Sequence, residues 1–255
     1  MRQLAANELA IFGLAVQFLT RVPIPVGSAY TPERLAAAPR YYPMVGALVG
    51  ALSAGVYAIA LVWLTPIVAV LLAIAIGLLV TGAFHEDGLA DTFDGLGAAD
   101  RDGMLTIMRD SRLGTYGTLA LLIVLAIKVA ALMGINPNRV GLILIAGHGL
   151  SRLSAVLVIA TSRYARDHGT GKPTADGIDP TSLVIAVGTG AALLVWMGLA
   201  AGLTAILFTA AGALLGHLGM RALFERRLRG YTGDTLGAVQ QTSELGVYLG
   251  LLAWQ

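Results

Sequence analysis

No cysteine occurs among the 255 residues. Disulfides and thiolate metal sites are therefore excluded, and redox chemistry says nothing of the compartment. Charge is scarce as well: 13% of the residues are Asp, Glu, Lys or Arg, where a soluble domain carries roughly 25%. Against these shortages stand a hydrophobic content of 56% and a mean hydropathy of +0.77, which place the chain in a membrane. Glycines and prolines are too dispersed for a low-complexity segment and no internal repeat is evident, so residues 1–255 read as a single integral membrane domain. A net charge of +2 is too small to suggest nucleic-acid binding, and in a membrane chain it reflects topology.

A spanning helix needs about 20 mostly apolar residues. Such runs lie at 41–64, 67–84, 113–133 (containing only Lys128), 140–162 (with His148 and Arg152) and 235–254 (with Glu244), and 181–220 is long enough for two spans turning near 198–202. The fold class this predicts is all-α, a polytopic bundle of about seven transmembrane helices. The run 9–20 is short for a span and leads into Arg21-Val-Pro-Ile-Pro25, so a re-entrant or interfacial helix is expected there. A signal peptide fits less well, because Arg2 is the lone nearby positive charge and no small-residue cleavage site follows.

Seven spans with the N-terminus inside put 1–40, 85–112, 163–180 and 221–234 on the inner side. Of the 17 basic residues all but Lys128, Arg139 and Arg152 then lie inside, and only Arg139 falls in an outer loop. The positive-inside rule thus gives an N-in, C-out arrangement. Every acid except Glu244 gathers on the same face, which marks it as a polar working surface.

The most polar stretch is "FHEDGLADTFDGLGA", residues 84–98. Asp87, Asp91 and Asp94 stand at i, i+4 and i+7, one face of a helix, with no Lys or Arg between Phe84 and Asp100. A bound cation relieves such repulsion, and hard carboxylate oxygens favour Mg²⁺ or Mn²⁺. The plainer alternative is a solvated acidic loop that ends a span. Next to it, "IMRDSRLGTYG" offers Arg109 and Arg112 as phosphate ligands, or as topology anchors, flanking Asp110, which is counted with them as substrate-binding. "RGYTGDTLGAVQQTSE" offers Thr232 and Asp234 as ligands, or a helix N-cap made by Asp234. Within the fourth span, His148, Ser151 and Arg152 share a face, and Arg152 is expected to meet either substrate or a structural acid partner. Lys128 is expected to snorkel toward the outer surface, while His217 and Glu244 stay unassigned interior groups.

Four segments, "FLTRVPIP" (18–25), "FHEDGLADTFDG" (84–95), "MRDSRLGTYG" (108–117) and "YTGDTLGA" (231–238), resemble in order the cobalamin synthase, or adenosylcobinamide-GDP ribazoletransferase, family. The resemblance runs over nearly the whole chain, and its aspartates all match; an acid at Glu86 is not required. It implies a Mg²⁺-dependent integral inner-membrane enzyme with a cytoplasmic active face. Such an enzyme joins adenosylcobinamide-GDP to α-ribazole or its 5′-phosphate and releases GMP. On this reading Asp87, Asp91 and Asp94 hold Mg²⁺ at the pyrophosphate, Arg109 and Arg112 offset charge on GMP, and His85 or an aspartate takes a hydroxyl proton. Lipid is the surrounding partner, and the oligomeric state is left open. One rival is a CDP-alcohol phosphotransferase-like enzyme, because Asp91-x-x-Asp94-Gly95 echoes the start of that family's motif, although Asp100 stands where its continuation wants another residue. The other rival is a secondary transporter, which the one-sided acids and the absence of repeated halves argue against.

Overall fold

The computed structural model describes residues 2–25, 27–166 and 177–255; Lys172, counted above with the inner charges, lies outside them. The helices are α1 (Arg2–Leu19), α2 (Pro32–Ala37), α3 (Tyr42–Trp63), α4 (Pro66–Thr81), α5 (Phe84–Gly95), α6 (Arg101–Ile107), α7 (Thr115–Gly134), α8 (Pro137–Thr161), α9 (Pro180–Ala201), α10 (Leu203–Leu228) and α11 (Gly233–Trp254). Proline opens α2, α4, α8 and α9, where its missing N–H costs nothing and its fixed φ suits the first turn. No strand forms among the described residues; the nearest approach is a single bridge between Tyr164 and Tyr231.

All seven apolar runs form helices. Among the described residues five helices are long and apolar enough to cross a membrane on their own, and a sixth span is counted if α4 and α5 are taken together. The two that fall short do so for different reasons. α4 has only 16 residues, and the chain bends by 87° between it and α5, so α5 leaves the direction of the bundle instead of lengthening a span. α11 has 22 residues, about 33 Å at 1.5 Å per residue, but carries Gln240, Gln241, Ser243 and Glu244, all buried inside the protein. Lipid-facing positions such as Ile59, Trp63, Leu79, Leu199 and Leu215 are apolar and exposed. α1 is longer than the 12-residue run suggested, and it buries Leu14, Ala15 and Leu19 in a core shared with α5 and α11.

Glycine lets the helices meet backbone to backbone, the usual device where no hydrophobic effect drives association. A Cβ on Gly212 would lie 2.0 Å from the carbonyl oxygen of Gly246, and Gly216 and Gly250 continue that α10–α11 seam. Gly46 and Gly50 do the same for α3 against α8, at 2.2 Å from His148 O and 2.5 Å from Leu144 O.

The two ends of the bundle differ. At one, Asn136 N donates to Gln255 Oε1 at 2.8 Å, Trp254 Nε1 to Thr204 Oγ1 at 2.8 Å, and Arg139 lies 4.5 Å over the Trp254 ring. The chain's last residues thus sit beside the α7–α8 and α9–α10 turns. At the other end the charged segments interlock: Arg101 reaches the carbonyls of Leu228 and Ala165, Arg227 that of Ala98, Arg166 pairs with Asp234, and Arg40 with Glu8 and Asp179.

Candidate active site

The acidic helix is set by the corner before it. Gly82 and Ala83 both adopt left-handed backbone, φ 67° and 55°, which turns the chain from α4 into α5. For alanine that conformation is uncommon and costs energy. Two glycines then fix α5 against α11: a Cβ on Gly88 would lie 2.6 Å from Asp234 O, and one on Gly237 would lie 2.9 Å from His85 O. Asp234 is thereby brought to the face that carries Asp87 and Asp91.

Asp87 is exposed and lines an open groove of about 620 Å³ that it shares with Glu86, Arg21 and Phe84. Asp91 is half-buried. Partial burial, and after it the charges of Asp87 and Asp234, push its carboxyl up to about 7, with Arg166 pulling the other way. Burial also raises Asp234, which Arg166 and Thr232 oppose. The third aspartate of the motif is engaged differently. Asp94 Oδ2 accepts from Gly114 N at 2.7 Å and Oδ1 from Gly117 N at 2.8 Å, so this carboxylate caps the start of α7, satisfying N–H groups that no helical carbonyl reaches. Among the described residues no three His, Asp or Glu side chains stand together as a ready-made metal cage.

In "MRDSRLGTYG", Asp110 and Arg112 pair with each other at 2.6 Å, and the guanidinium holds the Asp110 carboxyl down at about 2. Arg109 is exposed and has no side-chain partner among the described residues; it faces a cleft that also holds Arg101 and Arg166. At the start of α11 the capping residue is Thr232, not Asp234. Thr235 N donates to Thr232 Oγ1 at 3.3 Å and Thr232 N to Thr235 Oγ1 at 2.8 Å, a reciprocal capping box. Thr232 is fully buried in that role, and Asp234 is left free to pair with Arg166 at 2.9 Å.

His85 and Arg152 lie on the other side of α5. His85 is buried and lines two enclosed cavities behind the helix, both of which Arg152 also lines. Arg152 Nη1 is held by His148 of its own helix, at 2.9 Å from the carbonyl oxygen and 3.2 Å from Nδ1. Neither residue is brought to the groove beside Asp87.

Lys128 corrects an expectation. It does not snorkel: it is 3% exposed and donates to Glu244 Oε1 at 2.8 Å and Gln241 Oε1 at 2.7 Å. Reaching an outer surface would leave Glu244 as an uncompensated charge inside the bundle, whereas pairing satisfies both. The network extends through Gln240 to Glu244 Oε2 at 2.7 Å, through Tyr248 to Glu244 Oε1 at 3.0 Å, and through Gln241 Nε2 to Glu86 Oε1 at 2.8 Å. Glu86 is thus the point where the acidic helix hangs from the bundle interior. Its role was not visible beforehand, since its partner lies on a helix far along the chain.

The chain matches the model of the cobalamin-5-phosphate synthase family over residues 11–252. It is 45% identical to the adenosylcobinamide-GDP ribazoletransferase of Shewanella halifaxensis, an alignment that covers 98% of this chain and 97% of that one. It is 44% identical to the protein of that name from Leptothrix cholodnii, over 97% and 96% of the two chains. No solved structure matches it.

Proposed function

The chain belongs to the cobalamin-5-phosphate synthase family, and on that premise we propose that it joins adenosylcobinamide-GDP to α-ribazole or α-ribazole 5′-phosphate at the polar end of the bundle. The products are adenosylcobalamin, or its 5′-phosphate, and GMP. A ribose hydroxyl oxygen bonds to the phosphorus attached to the corrinoid's aminopropanol arm. The bond from that phosphorus to the bridging oxygen breaks, GMP leaves with the electron pair, and the hydroxyl proton passes to a base. Such a transfer needs alignment and charge neutralisation more than covalent participation by the protein.

The observation that carries this reading is the gathering of Asp87, Asp91 and Asp234 on one face, where partial burial first and the neighbouring carboxylates second push Asp91 up to about 7. In donor type and charge these carboxylates fit Mg²⁺ or Mn²⁺. The lack of a complete cage fits an ion held by one or two carboxylates, with substrate phosphate and water supplying the rest. Asp87 and Asp91 would hold it, with Asp234 opposite and Asp94 fixing the register of α5 against α7. Bound there, the ion would supply charge neutralisation for the pyrophosphate. Asp91 and its neighbours, on the side that substrate can reach, suit proton acceptance better than His85, which sits behind the helix. Arg109 and Arg112 flank the same end as ligands for phosphate oxygens, with Asp110 orienting Arg112.

The helices fit a multi-pass membrane protein. The charge distribution supports a cytoplasmic active face in a bacterial or archaeal inner membrane, N-in and C-out. Mixing the purified protein with adenosylcobinamide-GDP, α-ribazole and Mg²⁺ should release GMP, and chelation of the metal should stop it. Turnover with a CDP-alcohol in place of the corrinoid, or no GMP at all, would overturn the reading.

A further inference from the structure

Arg101, Arg109 and Arg166 surround one open cleft of about 380 Å³ at the polar end. Among the described residues only one acid, Asp102, lines it with them, and the Asp102 side chain is 92% exposed, at 3.5 Å from Arg101 Nη1. Arg101 is anchored by the carbonyls of Leu228 at 3.1 Å and Ala165 at 2.8 Å, neither of which cancels its charge. Arg109 has no partner among the described residues. Arg166 spends Nη1 on Asp234 at 2.9 Å, while its Nε is buried and has no partner among the described residues. A buried donor without an acceptor is unfavourable, and three guanidinium groups around one cleft repel. An anion with several acceptor oxygens answers both conditions, and arginine forks match phosphate geometry.

We propose that this cleft is a phosphate-binding site that takes the GMP end of the nucleotide substrate, gripping the phosphate that leaves with guanosine. Arg166 couples the cleft to the reacting side: its other nitrogen holds Asp234, which crowds Asp87 and Asp91. A nucleotide phosphate seated among the three arginines is therefore one ion pair away from the carboxylates that face the pyrophosphate. This assignment rests on the transferase reading above, and it adds Arg101 and Arg166 as substrate-binding residues.

Equilibrium binding of GMP, guanosine and α-ribazole 5′-phosphate to the purified full chain tests it. Wild-type protein should bind GMP well and guanosine poorly. Arg109→Ala should weaken GMP about tenfold or more, the size of one charge-assisted contact, with Arg109→Lys in between. The same variant should raise the KM for adenosylcobinamide-GDP and leave that for α-ribazole within about twofold of wild type, as expected when a ground-state contact to one substrate is removed. Arg166→Gln, compared with wild type by thermal unfolding to show that it is folded, should also weaken GMP. Arg226→Ala removes one exposed charge near the same end but outside the cleft, and should leave GMP affinity unchanged. Unchanged GMP binding in Arg109→Ala and folded Arg166→Gln would overturn the proposal, as would a loss confined to α-ribazole 5′-phosphate. If the wild type releases no GMP in the transferase assay yet binds it through these arginines, the transferase reading fails and the cleft stands. If GMP is released but the variants bind it normally, only the cleft fails.

Discussion

The two sides of α5 carry acids under opposite conditions. Behind the helix, Glu86 joins Gln241, Lys128 and Glu244 in a network in which charge meets countercharge inside the bundle. In front, Asp87 and Asp91 face Asp234, with Arg166 as the opposing cation paired with Asp234. Burial without pairing is costly behind the helix, and there the protein supplies most of the partners itself, Glu86 Oε2 and Arg152 Nε excepted among the described residues. The outer side is free of that constraint and stays unbalanced, which is the condition under which a cation and a phosphate bind. The inner side therefore bears on stability and the outer side on chemistry.

Mutations that break one side at a time sharpen this contrast. The largest effect on the fold is expected from Lys128→Met, which takes the paired ammonium from Glu244 and leaves it only Gln240, Tyr248 and His148 as neighbours; it should cost about 3–5 kcal/mol, the range for breaking a buried ion pair. The double variant Lys128→Met, Glu244→Gln should recover much of that loss, as read by thermal unfolding in detergent. Equal instability of the single and double variants would mean that the pair is not what supports α5. A smaller effect is expected from Gly117→Ala. Its Cβ would lie 2.5 Å from Asp94 Oδ2, so the cap on α7 must shift at a cost of about 1–3 kcal/mol, typical of overpacking, with turnover falling as α5 loses its register. Wild-type stability together with wild-type turnover would show that Asp94 is not needed as a brace.

The effect expected to be smallest, once solvent screening of this half-exposed carboxyl is allowed for, is one of pH. Asp91 binds its proton more tightly folded, at about 7, than at the ordinary 3.8, so between those values the folded state holds more proton than the unfolded one. The metal-free protein should therefore lose stability as pH rises from about 4 to about 7. Asp91→Asn should flatten that slope. An equal slope in both proteins would show that the outer carboxylates do not crowd one another.

Much of this was legible in the sequence because apolar runs and charge sidedness report directly on helices and on the polar end. The seven helical segments, the turn near 198–202 and the one-sided acids all follow from composition along the chain. What escaped depends on contacts between distant residues. The capping contacts of Asp94, expected as a third metal ligand, were out of sight because their donors lie 20 and 23 residues away. Lys128 looked like a snorkelling residue, because Glu244 is 116 positions off. Arg101 and Arg166 counted only as inner-side charges until folding placed them around one cleft with Arg109. Thr232 could have been identified as the cap from its spacing to Thr235, but the neighbouring acid drew the assignment to Asp234.

Thermal unfolding of wild type and Asp91→Asn with and without Mg²⁺, read beside GMP release by the same preparations, tests the division of labour most directly. Asparagine keeps the shape and removes the charge. Without metal the variant should be as stable as wild type or slightly more so. Mg²⁺ should raise the unfolding temperature of wild type, because a ligand that binds only the folded state stabilises it as RT ln(1 + [L]/Kd). In Asp91→Asn that shift and the turnover should both be lost. An Asp91→Asn protein that keeps both its response to Mg²⁺ and its normal GMP release would contradict the account and reduce the outer face of α5 to a solvated acidic surface.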